Sequence, residues 1–227
     1  PIKADGIIAI NIRDDDELVA VRETSGDDTI IMVSRSGQAS RFEEAKARDM
    51  GRATAGVKGM NVSQKGNRVL AMDVARPEQD LLVVTENGFG KRTPIDDYPI
   101  KGRGTMGVKT IALTDKKGAL AAALVVREHE DLVFISTGGM VQRTGVRGIN
   151  RYGRASQGVK VMNMKEDDTV SAVALVMDSD DTAASITGEP SLAGDPLAEE
   201  TQGIESNGAT PEPVPTEEDV TAETDDE

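Results

Sequence analysis

Arginines and lysines recur along this chain with a period of 51 residues. The repeated positions are an arginine after each apolar run, the arginine of a Gly-Arg pair, and the lysine of a Gly-Val-Lys string. Their members are Arg41, Arg92 and Arg143; Arg52, Arg103 and Arg154; and Lys58, Lys109 and Lys160. Guanidinium and ammonium groups at regular spacing suit the phosphates of a nucleic acid, because those charges also repeat regularly. The pattern therefore predicts a binding surface for a polyanion.

The basic residues are concentrated in three windows, residues 41–58, 92–109 and 143–160. Together the windows carry a net charge of +9, whereas the rest of residues 1–177 carries −7. Equivalent positions of a repeat lie at equivalent places in a repeated fold, so we expect the windows to form one basic belt. Such a belt suits duplex DNA that bends around it, with salt-sensitive binding. It also suits an acidic protein, so a protein-interaction propeller is the alternative.

The elements that must carry these residues are short strands. Each repeat begins with a short apolar run that ends in Gly37, Gly88 or Gly139, and the last two stand in Asn-Gly and Gly-Gly pairs. Such pairs supply the positive φ of tight hairpins, so we interpret these glycines as turn residues and not as ligand contacts. Two further apolar stretches follow each Gly-Val-Lys string, and no segment shows a helical period. The chain is predicted to be all-β, a propeller-like fold of four-stranded blades.

The repeat divides the chain into a partial blade over residues 1–24, blades over 25–75, 76–126 and 127–177, and a tail over 178–227. The tail carries sixteen carboxylates and no lysine or arginine. Because it has few large apolar residues, we expect it to be disordered. Its charge suits competition with DNA for the basic belt, and a tail that only keeps the chain soluble is the alternative.

Catalytic constellations are missing from the sequence. The chain has no cysteine, and its one histidine, His129, stands among carboxylates. No P-loop string occurs, so no ATP hydrolysis is expected here. The few aromatic residues argue against binding of single-stranded nucleic acid, which uses stacking platforms. No long apolar run or signal peptide occurs, which predicts a cytoplasmic protein without membrane contact.

Three strings resemble the C-terminal domain of DNA gyrase A. Residues 86–94 read Glu-Asn-Gly-Phe-Gly-Lys-Arg-Thr-Pro, residues 102–109 read Gly-Arg-Gly-Thr-Met-Gly-Val-Lys, and residues 153–159 read Gly-Arg-Ala-Ser-Gln-Gly-Val. The resemblance covers residues 1 to about 177. It implies a β-pinwheel, a propeller-like disc whose blades exchange strands and whose basic rim wraps duplex DNA. In that family, wrapping lets an ATP-dependent topoisomerase introduce negative supercoils.

The resemblance also assigns site residues and partners. The residues that it places on the DNA-binding rim are Arg41, Arg52, Lys58, Lys91, Arg92, Lys101, Arg103, Lys109, Arg143, Arg147, Arg151, Arg154 and Lys160. The implied partners are duplex DNA, the N-terminal part of gyrase A, and gyrase B in an A2B2 assembly. ATP and magnesium would bind on other domains, so this segment would need no cofactor and would not be an enzyme by itself. The implied location is the bacterial cytoplasm, at the nucleoid.

One departure from the family pattern concerns the Gln-Arg-Arg-Gly-Gly-Lys-Gly box of the first blade. No stretch of this chain spells the box, and residues 101–104 are only its counterpart in a later repeat. The chain also starts in mid-repeat at Pro1. Both observations predict a fragment of a longer protein. The related pinwheel of topoisomerase IV is the alternative family member.

Overall fold

Eleven β-strands and three short 3₁₀ turns form the regular structure of residues 6–13 and 15–176, the part of the 227-residue chain that the computed structural model describes. The strands are β1 (Thr29–Ser34), β2 (Gln38–Glu43), β3 (Val69–Ala75), β4 (Asp80–Thr85), β5 (Phe89–Pro94), β6 (Val108–Lys109), β7 (Leu120–Val126), β8 (Asp131–Ser136), β9 (Val141–Gly145), β10 (Val159–Lys160) and β11 (Val170–Val176). The predicted all-β class is confirmed. Within the same residues, no helix has the length and hydropathy to cross a membrane. The predicted tail, 178–227, lies outside the described residues.

The strands form three antiparallel sheets. The first sheet has the order β3-β1-β2-β6, the second has the order β10-β5-β4-β7, and the third has the order β11-β8-β9. Each sheet is built on a tight hairpin, in which Gly37, Gly88 or Gly139 has a φ near +80°. A residue with a side chain is strained at this φ, so the turn explains the glycine. The third sheet has three strands within the described residues.

The four-stranded sheets are completed by strands from the next repeat. β6 follows the second hairpin in sequence, yet it pairs with β2, where Gln38 lies opposite Lys109. β10 pairs in the same register with β5, where Phe89 lies opposite Lys160. A blade therefore contains three strands of its own repeat and one exchanged strand. This arrangement agrees with the strand exchange that the family resemblance implied.

Glycine is required where the exchanged strands meet their acceptors. Gly107 has a φ of +84°, and a Cβ at this position would lie 2.3 Å from the carbonyl oxygen of Ala39. Gly158 has a φ of +71°, and its Cβ would lie 2.8 Å from the carbonyl oxygen of Gly90. Both distances are far below van der Waals contact. The glycines of the second and third Gly-Val-Lys strings therefore permit close backbone approach between blades.

The first 24 residues, predicted to be a partial blade, contain no strand where the structure describes them. They are nevertheless attached to the first repeat. The backbone N–H of Asn11 donates to the carbonyl of Thr54 at 2.9 Å, and its side-chain amide donates to the carbonyl of Ala53 at 2.6 Å. The blade boundaries drawn from the repeat stay a prediction.

The second sheet is buried between the other two, which explains the uninterrupted apolar run in β4. Leu81 and Val83 pack in one core cluster with residues of the first sheet. Leu82 and Val84 point the other way and pack with Phe134 and other residues of the third sheet. Successive strand residues face opposite sides of a sheet, so both sides of β4 must be apolar. Each such side chain contributes about 1.5–3 kcal/mol when fully buried.

Candidate nucleic-acid interface

The outermost strands of the first two sheets carry two of the predicted lysines. The inner strands β3 and β7 pack beside each other, whereas β6 and β10 lie at the opposite edges of their sheets. Lys109 in β6 and Lys160 in β10 are exposed and occupy the same register position, one period apart. The structure therefore places these two ammonium groups at equivalent points on the outer edge of neighbouring blades.

The loops before these strands run along the edge of the preceding sheet. The backbone N–H of Lys101 donates to the carbonyl of Arg41 at 2.8 Å, and that of Tyr152 donates to the carbonyl of Arg92 at 2.9 Å. We name the contact of β2 with residues 99–109 the first junction, and the contact of β5 with residues 150–160 the second junction. These two segments carry six of the thirteen predicted basic residues: Lys101, Arg103, Lys109, Arg151, Arg154 and Lys160.

Most of the predicted residues are exposed. Within residues 6–13 and 15–176, nine of the thirteen have no carboxylate within ion-pair distance. Two of the nine are Lys91 and Arg103; the other seven are Arg52, Lys58, Lys101, Lys109, Arg147, Arg154 and Lys160, of which Arg154 is half-buried and the others are exposed. Two further exposed arginines have carboxylate partners: Arg143 contacts Asp131 at 2.7 Å, and Arg151 contacts Asp80 at 2.9 Å. Those seven unpaired cations are available to an external anion.

Lys91 does not lie on the surface, and its assignment to the rim is corrected. The side chain is fully buried, and its Nζ donates to the carbonyls of Gly153 at 2.6 Å and Arg154 at 2.7 Å. Burial lowers the pKa of Lys91 to about 8, opposed by the nearby Asp97 and assisted by the charge of Arg154. An ammonium group that is enclosed and committed to two carbonyls has no face for a phosphate.

Arg41 and Arg92 are also buried, so their assignment to the rim is corrected as well. The guanidinium of Arg41 donates to the carbonyls of Ile95 at 3.1 Å and Tyr98 at 3.4 Å, both in the next repeat. That of Arg92 donates to the carbonyl of Ile149 at 2.8 Å, also in the next repeat. In the first two repeats, the arginine that follows the apolar run therefore binds consecutive repeats together.

The arginine of the Gly-Arg pair behaves differently in different repeats. Arg103 is half-buried and donates to the carbonyl of Lys46 through Nε and to that of Lys58 through an Nη at 2.8 Å. Its donors are therefore largely engaged by backbone of the preceding repeat. Arg52 is exposed, and Arg154 keeps its guanidinium clear of carboxylates within the described residues. Equivalent sequence positions thus differ in how much charge they present.

Two lysines that the sequence analysis did not select lie beside the belt. Lys116 and Lys165 line a surface cavity of about 430 Å³ together with Lys160, Asp167 and Asp168. The sequence repeat could have identified Lys116, because Lys65 stands one period of 51 residues before it. Lys165 has no equivalent, so only its place in the fold reveals it. The cavity extends the basic surface toward the hairpin ends, although its two carboxylates reduce the local charge.

Comparison with protein families relates this arrangement to a known domain. The family model described as the DNA gyrase C-terminal domain, beta-propeller, matches residues 1–25, 28–76, 79–127 and 130–177. The DNA gyrase A protein of Mycolicibacterium smegmatis is 42% identical over 187 residues, which cover 82% of this chain and 22% of that protein. The DNA gyrase A protein of Staphylococcus epidermidis is 41% identical over 182 residues, which cover 79% of this chain and 20% of that protein. The chain spans about a fifth of the length of the curated relatives it matches.

Solved structures share the fold. A structure of the DNA gyrase A C-terminal domain superposes with a TM-score of 0.69 at 25% identity, over 76% of this chain and 59% of that chain. A crystal structure of the C-terminal domain of DNA topoisomerase IV superposes with a TM-score of 0.73 at 23% identity, over 79% of this chain and 57% of that chain. The second likeness concerns the fold alone.

Proposed function

This chain belongs to the DNA gyrase C-terminal domain family, and from that premise we propose that it binds duplex DNA along the outer edge of its blades and bends the duplex around them. The observation that carries the proposal is the placement of Lys109 and Lys160 at equivalent outer-edge positions of neighbouring blades. A bent duplex meets successive blades with successive turns of its backbone. Phosphate contacts repeated from blade to blade add up and hold the bend.

The proposed surface consists of the exposed cations and the half-buried Arg154, and it excludes the three buried ones. It comprises Arg52, Lys58, Lys101, Lys109, Arg143, Arg147, Arg151, Arg154 and Lys160. Ammonium and guanidinium groups on loops and edge strands fit phosphates, whereas reading of base edges needs an element inserted into a groove. Sequence specificity is therefore expected to be weak, and flexible sequences are favoured because they bend at lower cost.

Within a longer protein, we extend the proposal to the activity of the family. The bent duplex would be presented for strand passage by an ATP-dependent type II topoisomerase that introduces negative supercoils. The partners would be the N-terminal part of gyrase A, together with gyrase B in an A2B2 assembly, in the bacterial cytoplasm at the nucleoid. ATP and magnesium would act on those other parts. This segment supplies the DNA geometry and not the chemistry.

The test measures affinity for duplexes of about 20 to about 100 base pairs at several salt concentrations. We expect affinity to rise with duplex length until the basic surface is covered, because a short duplex reaches one blade only. Replacing Lys109 and Lys160 together by glutamine should reduce the slope of log K against log salt by about two. Equal affinity for short and long duplexes would contradict bending and favour a protein-docking role.

A matched control is available beside an inner strand. Arg22 is exposed and contacts Asp73 of β3 at 2.8 Å. Arg22→Gln removes one positive charge away from the proposed surface, and we expect it to leave the salt slope unchanged. A loss of about one in slope for this single change, the same as for each lysine of the double variant, would mean that net charge alone governs binding, and the proposed surface would then be wrong.

A further inference from the structure

Two buried lysines donate hydrogen bonds to the loop of the second junction from the protein interior. Lys91 donates to the carbonyls of Gly153 and Arg154 at 2.6 and 2.7 Å. Lys117, which is also buried, donates to the backbone and side-chain oxygens of Gln157 at 2.9 and 2.8 Å. An ammonium group is costly to bury unless hydrogen bonds replace its water. Both side chains therefore stay committed to this loop.

Other groups of β5 hold the same loop at its beginning. The hydroxyl of Thr93 donates to the carbonyl of Tyr152 at 2.8 Å, and the carbonyl of Arg92 accepts the N–H of Tyr152 at 2.9 Å. The backbone from Tyr152 to Gln157 is thus held at several points by the second repeat. Its carbonyls at positions 153 and 154 face inward to Lys91, and the Arg154 guanidinium has no carboxylate partner within the described residues.

Of the three equivalent positions, only the one in the second repeat brings a charge to a Gly-Arg loop. Ser40, one period earlier, places its hydroxyl 3.2 Å from that of Thr105. Gln142, one period later, donates its amide to the carbonyl of Val161 at 3.1 Å. Neither of these groups is ionisable. A buried ammonium bound to the carbonyls of a proposed DNA-binding loop is therefore a feature of the second junction and not of the first.

We propose that Lys91 is a positioning residue for DNA binding, whose ammonium fixes the backbone at Gly153 and Arg154 so that the Arg151 and Arg154 side chains meet phosphates. The inference rests on the proposed function. Lys91 itself does not touch DNA. Phosphates drawn to this loop place negative charge near Lys91, and that charge stabilises the protonated ammonium. Binding of DNA at the second junction is therefore coupled to proton uptake by Lys91.

The pKa of Lys91 gives this coupling a measurable range. Burial lowers it from 10.5 to about 8. The charged or titratable groups near it are Asp97, which follows β5, Arg154 in the loop, and Tyr98, whose pKa is raised to about 12 by burial, so that the phenol stays neutral. Between pH 8 and 10.5 the folded protein has lost a proton that the unfolded chain retains, so stability increases with pH in this range. DNA affinity should decrease over the same range, because bound DNA favours the protonated form.

The experiment measures duplex affinity and urea unfolding of the full chain from pH 7 to about 9.5. For the unaltered protein we expect the DNA affinity to fall about three- to tenfold over this range, while the free energy of unfolding rises. The fall in affinity corresponds to an increase of about 0.5 to 1 in the pKa of Lys91 when DNA binds. Lys91→Met should weaken DNA binding at pH 7. It should also abolish most of the pH dependence of the DNA affinity and of the free energy of unfolding. Ser40→Ala, at the equivalent uncharged position, should retain both.

A second variant keeps the test valid if Lys91→Met fails to fold. Lys91→Gln retains an N–H donor without an ionisable group and copies the residue at position 142. We expect it to fold, to bind more tightly than Lys91→Met if both fold, and to lack the fall in affinity above pH 8. The inference is overturned if the affinity of Lys91→Gln falls above pH 8 as much as that of the unaltered protein. It is also overturned if the affinity of the unaltered protein does not fall in this range. A protein that binds no duplex at any pH would instead contradict the proposed function.

Discussion

The first and second junctions place the same segment of the repeat against the same strand of the preceding sheet, but they satisfy its hydrogen bonds differently. At the first junction Arg103 reaches inward and donates to the carbonyls of Lys46 and Lys58. At the second junction the donor is the buried Lys91 of β5, which donates to the carbonyls of Gly153 and Arg154. A loop on the outer edge needs donors for its carbonyls, and either the loop arginine or a strand residue can supply them.

The difference determines how many cations reach solvent. Where the loop arginine is the donor, its charge is engaged by backbone and is less available to DNA. Where a buried lysine is the donor, the loop arginine is released, as Arg154 is. The number of repeated basic residues therefore overstates the number of cations that are free to contact an anion. Under the proposed function, the blades of one chain would contribute unequally to DNA binding.

A second difference concerns the arginine that joins consecutive repeats. Arg41 at the first junction faces the neutral Thr29, whose hydroxyl lies 3.2 Å from its Nε. Arg92 at the second junction faces Asp80 at the equivalent position, at 3.1 Å, and the carboxylate is also bound by Arg151 at 2.9 Å. The Asp80 side chain is only 7% exposed. The second junction thus contains a buried ion pair, and the first does not.

The largest expected effect follows from that ion pair. Arg92→Met would leave the Asp80 carboxylate buried with Arg151 as its remaining partner, and we expect a loss of about 3–4 kcal/mol in unfolding free energy. Arg41→Met removes the donor to neutral oxygens and a 3.8 Å contact with the exposed Asp96 carboxylate, which water can solvate, so we expect a loss of about 1–3 kcal/mol. Urea denaturation of the two variants makes the comparison.

The charge on Asp80 can be removed as a control. Asp80→Thr copies the first junction at this position, and adding it to Arg92→Met should recover part of the lost stability. If Arg92→Met and Arg41→Met lose equal stability, and Asp80→Thr recovers none of it, the buried ion pair does not distinguish the junctions.

The exchanged strands offer the next comparison. Gly107→Ala would place a Cβ 2.3 Å from the carbonyl oxygen of Ala39, whereas Gly158→Ala would place one 2.8 Å from that of Gly90. We expect both variants to lose stability, by about 3 kcal/mol for Gly107→Ala and less for Gly158→Ala. Thermal unfolding measures the losses.

Gly56 is the matched control for backbone strain. It has a φ of +72°, but the nearest atom to its Cβ position is Ile10 Cδ1 at 3.9 Å. Gly56→Ala should therefore cost only the strain of its backbone conformation, about 1 kcal/mol. Losses of the same size at all three glycines would show that close approach between blades adds nothing to the strain.

The smallest loss of stability is expected for Arg154→Ala, and its comparison with Arg103→Ala distinguishes the two loop arginines. Arg154→Ala should reduce the salt slope of DNA binding by about one and leave stability nearly unchanged. Arg103→Ala should leave that slope nearly unchanged and cost about 1–3 kcal/mol, because two carbonyls lose their donor. Affinity titrations at several salt concentrations, together with urea denaturation, test both halves. The opposite assignment of the two losses would mean that Arg103 and not Arg154 contacts DNA.

The sequence by itself determined the repeat, the strand class and the positions of the tight turns. These features depend on neighbouring residues: apolar runs of strand length, and Gly88 or Gly139 in pairs that permit positive φ. The same local patterns identified Lys109 and Lys160 as repeated cations, and both are exposed. The family resemblance, carried by short strings of residues, correctly indicated blades that exchange strands.

The tertiary structure alone decided which basic residues face solvent. Lys91 and Lys109 are both basic residues of the second repeat, yet one is fully buried and the other is exposed. The carbonyl that Lys91 binds at Gly153 is 62 residues away in the chain. A period reveals which positions are equivalent, but the partners of a charge come from another repeat. Because burial of an ammonium depends on those distant acceptors, the sequence pattern cannot distinguish a residue that holds the loop from one that is free to bind DNA.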